Sequence, residues 1–214
     1  MYRALLRVQW KWSRGFALLA TIFAFAMPIA SVVALHRDDA AVDIVRALQD
    51  FGVWYALLAA AIGLAFALLA WSQDNTGRHV YALSLPVNRS RYAAMRFGAG
   101  ALFLLLPAAG LLAGSLIALG VAPIPTGLHG YPVSLSLRFF LASAVAFSIF
   151  FAVAVSTPRA AGVVLGLVGA VLLLAFALSA ASVDFDVLGH TADLLFSESG
   201  VFAIFTGRWM LIDA

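Results

Sequence analysis

Residues 74–97 read D-N-T-G-R-H-V-Y-A-L-S-L-P-V-N-R-S-R-Y-A-A-M-R-F, with an uncharged run at 51–71 before them and another at 97–121 after. The stretch sets Arg78, Arg89, Arg91 and Arg96 against one acid, Asp74. The shorter flanking run has 21 residues, about 31 Å of helix, against a hydrocarbon core of about 30 Å. A basic connector between two such runs marks two membrane spans joined on the side that retains positive charge.

Composition agrees. The 214 residues are 64% hydrophobic and 11% charged, with a mean hydropathy of +1.03. A soluble domain carries about 25% charged residues. The chain has no cysteine, which excludes disulfides, thiolate metal sites and thiol nucleophiles. The net charge is +3, but the basic residues are few and lie beside spans, so they argue for topology and not for nucleic-acid binding.

Upstream, residues 1–14 place Arg3, Arg7, Lys11 and Arg14 on one helical face and Leu5, Val8 and Trp12 on another. This predicts a basic amphipathic helix in the interface, with Trp10 and Trp12 at headgroup depth. Residues 15–35 form the first uncharged run, longer than the apolar core of a cleaved signal peptide, about 7–15 residues. A polar loop at 36–50 leads to the second span. Downstream, spans are expected at 97–121 (with Pro107 inside), 139–156 and 160–182, the last two joined by a tight turn at Thr157, Pro158 and Arg159. Residues 183–200 carry Asp184, Asp186, Asp193 and Glu198 without Lys or Arg, and 201–214 are too short in their apolar part to cross. An external, re-entrant or interfacial segment is expected there.

The fold class is therefore all-α, a single transmembrane domain over 1–214 with five spans, an N-terminal interfacial helix and a C-terminal external segment. Placing the N-terminus inside puts nine Lys/Arg on the inner side and four on the outer, the bias the positive-inside rule requires. Gly110 with Gly114, and Gly162 with Gly166, have the G-x-x-x-G spacing that lets helix backbones approach.

The chemistry that is missing narrows the function. All five runs lack Asp, Glu, Lys, Arg and His, the groups that ion-coupled transporters and proton relays place in the membrane. A P-loop needs G-x-x-x-x-G-K-[ST], and the only lysine is Lys11. Asp186, His190 and Asp193 could share a helical face, but they have too few companions for an oxygen-rich metal site. No metal site, no catalytic group and no cofactor of the chain's own are expected.

In residues 74–91, D-N-T-G-R-H-V-Y-A-L-S-L-P-V-N-R-S-R, Asp74 to Gly77 are turn residues and Pro86 suits the first turn of a new helix. The segment resembles the one that follows the second span in ABC-2 type transporter permeases: an acidic residue, a glycine, then a Leu-Ser-Leu-Pro run with two arginines. The matching positions are Asp74, Gly77, Leu83, Ser84, Leu85, Pro86, Val87, Arg89 and Arg91. The family also has a basic amphipathic N-terminal helix. The resemblance implies a coupling helix near 74–85 that docks on a separate ABC ATPase subunit, with Arg78 and His79 inside it and Pro86, Arg89 and Arg91 beside it. It implies ATP and Mg on that partner, a homodimer or a heterodimer with another permease, contact with membrane lipid, an exporter's role, and the bacterial cytoplasmic membrane. Family members have six spans where five are expected here; a short variant, a partner's helix or a fragment would each account for that. The alternative is a non-transporting membrane scaffold that recruits a cytoplasmic partner.

Overall fold

The computed structural model describes residues 2–33, 41–76, 88–122, 124, 127–155, 187–197, 199–200 and 202–213, with isolated helical positions between 162 and 178. The elements are α1 (Tyr2–Val33), α2 (Ala41–Thr76), α3 (Arg89–Phe103), α4 (Leu105–Val121), β1 (His129–Gly130), α5 (Pro132–Val155), α6 (Val187–Phe196), a 3₁₀ turn (Ala203–Phe205) and β2 (Ile212–Asp213). Among the described residues, four stretches are long and apolar enough to cross a membrane: Leu5–Val33, Val42–Ala70, Ser90–Val121 and Pro132–Val155; most of the expected fifth span at 160–182 lies outside the described residues. The chain is a helical membrane protein. In hydrocarbon every backbone N–H and C=O must be satisfied within the segment, and only helix does that for a single strand of chain.

The helices outrun the expected spans. α1 has no break near Gly15 and absorbs the expected interfacial helix at 1–14. The reason is its buried stripe: Leu5, Gln9 and Ser13 continue, turn by turn, into Ala17, Ala20 and Ala24. Val8 and Trp12 remain exposed, so the apolar residues of the first turns divide between core and surroundings. A glycine inside a helix costs about 1 kcal/mol, less than interrupting that continuous contact. α2 starts at Ala41 inside the expected polar loop and continues to Thr76. α5 starts at Pro132, two turns before Arg138, which the sequence reading placed at the head of the span.

The third span is one path in two helices. α3 ends at Phe103 and α4 begins at Leu105. Pro107 is the cause: it has no N–H for the carbonyl four residues earlier, at Phe103, and its ring crowds that carbonyl. The chain tightens there, with Leu104 N–H donating to Ala101 at 3.2 Å.

The chain divides into two compact units, residues 1–151 with 208–214, and residues 152–207. In the first, the helices alternate in direction. α2 runs antiparallel to α1, with Phe16 against Phe66 (5.2 Å between rings) and Ser31 Oγ 3.3 Å from Tyr55 Oη. α3 and α4 run parallel to α1. α5 returns antiparallel to α3, with Phe97 against Phe147 and Phe151, each at 5.3 Å.

Backbone approach fixes these pairings. A Cβ at Gly110 would sit 2.8 Å from the Thr21 carbonyl oxygen, and one at Gly114 would collide with the Phe25 carbonyl. A Cβ at Gly63 would sit 2.5 Å from the Ser143 carbonyl oxygen and 2.7 Å from Ala146 Cβ. Most core hydroxyls spend their donors inside their own helix. Ser13, Thr21 and Ser143 donate to the carbonyl four residues back at 2.7–2.8 Å.

The chain's last residues close one end of this unit. His129 pairs with Asp213 and Gly130 with Ile212, antiparallel, and Tyr131 N–H donates to the Leu211 carbonyl at 2.8 Å. Trp209, Met210, Leu211 and Ile212 are buried. Arg138 lies 4.9 Å over the Trp209 ring and donates from Nη1 to the Arg208 carbonyl at 2.7 Å. In the second unit, α6 ends in a turn in which Phe202 N–H donates to the Leu195 carbonyl at 2.8 Å, and Phe196 meets Phe202 at 5.4 Å.

Candidate functional site

The candidate site is the end of the bundle opposite that closure, at the first turns of α1 and α3 and the last turn of α2. α3 is started by Asn88, whose side-chain oxygen accepts from Ser90 N–H at 3.3 Å. Asparagine is a strong N-cap because it satisfies a donor that the helix start leaves open. Arg89 is then the first residue of α3 and Arg91 the third, with the Arg91 side chain exposed. Asp74 lies in the last turn of α2.

These charges oppose the helix dipoles. A helix start favours acids and a helix end favours bases, each by about 0.3–1 kcal/mol. α2 has no base in its last turn and α3 no acid in its first. Arg89 and Arg91 at the start of α3 and Asp74 at the end of α2 each stand where the helix dipole disfavours their charge.

Of the expected coupling residues, Gly77, Arg78, His79, Leu83, Leu85 and Pro86 lie outside the described residues, as does the expected helix start at Pro86. Gly110 and Gly114 lie against Thr21 and Phe25 of α1. A Cβ at Gly162 or Gly166 would meet nothing within 4 Å among the described residues. Of the acidic cluster, His190 and Asp193 lie on α6, and Asp186 is outside the described residues. No group of three His, Cys, Asp or Glu among the described residues could hold a metal ion.

Sequence reasoning missed the buried polar layer under this surface. Arg7, Lys11 and Arg14 are exposed on α1, but Arg96 is only 3% exposed. Its Nε donates to Tyr92 Oη at 3.1 Å, and its guanidinium lies 5.6 Å from the Tyr92 ring centre. Tyr92 and Arg96 stand one turn apart, the spacing at which helix side chains meet. Gln9 is buried in the same region, its Nε2 3.3 Å from where a Cβ on Gly100 would be. Gln9 Oε1 has no hydrogen-bond partner among the described residues. The readable signal was the i, i+4 series Leu5, Gln9, Ser13, Ala17, in which a glutamine occupies a core position.

Chemically, this end offers exposed cations along the first four turns of α1 (Arg7, Lys11 and Arg14) and in the first turn of α3 (Arg91), a capped helix start, and an acid at the end of α2. It can hold a partner's surface; among the described residues it assembles no nucleophile with a base. Comparison of the chain with protein-family models, with curated proteins and with solved structures gives no match.

Proposed function

We propose that the chain is the membrane-spanning subunit of an ABC-2 type exporter, driven by a separate ATPase that docks on residues 74–91. The carrying observation is the run from Asp74 to Arg91, whose Gly77, Leu83-Ser84-Leu85-Pro86 and arginine positions match that family's segment after span two. Two features of the fold support the reading. Asp74 and Arg89 bracket the segment with charges that their own helix dipoles disfavour. α3 is followed directly by α4, which is seated on α1 by backbone contact, so the start of α3 is joined to α1 by one short path.

In this reading a fifth span occupies 160–182, the N-terminus faces the cytoplasm of a bacterial cell, and two permease chains surround the pathway. ATP and Mg belong to the partner. The test is co-purification of the tagged full chain from detergent, beside a Leu85→Asp, Arg89→Glu double variant. The expected result is a stoichiometric P-loop ATPase that the variant loses while eluting as the same folded species. A partner without ATPase activity moves the assignment to a recruiting scaffold, and an ATPase retained in the variant removes the docking site from 74–91.

A further inference from the structure

A second site lies on the opposite half of the membrane-spanning unit, and it is independent of what binds residues 74–91. Between α1 and α2, on the half nearer their connection, lies an open groove of about 530 Å³. Ala26, Ala30 and Ala61 line it with small side chains; Phe23, Trp54 and Leu57 stand more than half exposed along it. From Phe51 to Ala61 the α2 side rises about 15 Å, half of a hydrocarbon core of about 30 Å. The groove is one leaflet deep.

A second helix fits it poorly. Helix pairs in membranes approach through small residues on both partners, and a helix with side chains is about 10–12 Å across. Here bulky rings and a leucine stand along the groove, while the glycine face of α4 is already spent on α1. A single flexible hydrocarbon chain needs no such flat face.

The same face of α2 continues above the groove as Asp43, Arg46 and Asp50, all exposed, with Trp54 next below. Positions 43, 46, 50, 54, 57 and 61 follow helical spacing along one stripe. Trp54 lines the groove one turn below its polar end, close enough for its ring to reach the headgroup boundary, where aromatic side chains anchor. Arg46 complements a phosphate, and Asp43, about 4.5 Å further from the groove along the helix, complements an ammonium beyond it. An anionic headgroup without an amine would face both carboxylates.

We propose that this groove binds one acyl chain of an amine-bearing zwitterionic phospholipid, with Arg46 on its phosphate and Asp43, one turn further from the groove, beside its ammonium. The experiment uses the full chain, delipidated in detergent and titrated with dioleoyl-phosphatidylethanolamine or dioleoyl-phosphatidylglycerol. Bound lipids are counted by native mass spectrometry. The expected result is retention of one phosphatidylethanolamine about tenfold more tightly than phosphatidylglycerol. Ala61→Trp should fill the groove and remove that lipid. Asp43→Asn with Asp50→Asn, both at exposed positions, should reduce the preference to within about twofold; this pair decides the matter if the tryptophan variant does not fold. Equal affinity for the two lipids overturns the proposal. So does a lipid count unchanged by Ala61→Trp. The chain has no native cysteine, so an Ala61→Cys variant that links to itself in vesicles would show a second copy in the groove and overturn it as well.

Discussion

Where α1 meets α4, contact is made by leaving side chains out. Gly110 and Gly114 bring backbone against the carbonyls of Thr21 and Phe25, and the attraction is dispersion over a close-fitting surface. Where the last residues meet the bundle, contact is made by large groups: Trp209, Met210, Leu211 and Ile212 are buried, with Arg138 laid over the Trp209 ring. Gly52 makes room for that tail, since a Cβ there would sit 2.8 Å from the Trp209 carbonyl oxygen. The seam lies at membrane depth, where water does not compete and salt does not screen. The closure lies at an end of the helices and uses ion pairs and a short ladder as well as burial. Two solvents, lipid and water, have selected two kinds of contact in one unit.

The largest effect should come from breaking the seam. Gly114→Leu forces α1 and α4 apart, and overpacking of this kind costs about 3 kcal/mol or more where backbone is the obstacle. Loss of the monodisperse species on size exclusion is expected; a variant melting within about 1 kcal/mol of the parent would show that the two helices are not held by this contact. Next is the closure. Trp209→Ala removes a buried ring and should cost about 3 kcal/mol, with hydrogen exchange rising at 208–213 and unchanged along the seam. Exchange rising equally at both would mean that the two regions open as one.

Arg138→Met tests the polar part of the closure alone. It keeps a long side chain but loses the contact to the Trp209 ring and the hydrogen bond to the Arg208 carbonyl. About 1–2 kcal/mol is expected, read as a lower melting temperature in the same detergent. The smallest effect is expected at the rim. Arg208 reaches Asp213 at 3.4 Å with its side chain 68% exposed. Arg208→Gln should therefore change stability by less than about 0.5 kcal/mol, and raising the salt concentration should leave the melting temperature of the parent nearly unchanged. A marked salt dependence would move weight from packing to ions at this end.

Much of the architecture was legible because lipid imposes a one-dimensional rule: 21 uncharged residues in a row must be helix and must be long enough to cross. Runs 15–35, 51–71 and 97–121 were readable on that rule alone. The break in the third span was not, because membrane helices tolerate proline and Pro107 could sit inside an unbroken span. Helix ends were not legible. Charged residues stop a hydropathy argument but do not stop a helix, so α1 extends back to Tyr2, and α2 extends out to Ala41 and on to Thr76. At the candidate site the charge was legible, from Arg7, Lys11, Arg14 and Arg91. Its buried layer was not, because an arginine at 96 reads as one more loop cation until Tyr92 and the surrounding helices enclose it.

Composition and spacing therefore suffice for the class of protein, the position of the basic connector and the residues capable of close approach, since each depends only on local chemistry repeated along the chain. Partner choice among equivalent faces depends on three-dimensional fit. Gly63 has no glycine four residues to either side, yet its lack of a side chain admits Ser143 and Ala146 of α5, while Gly162 and Gly166, with a motif to recommend them, meet nothing within 4 Å among the described residues. The tail at 208–213 has no membrane signal of its own. It is ordered by a two-residue ladder, a buried tryptophan and an arginine 70 positions away, and contacts that distant in sequence are set by the packing of the whole unit.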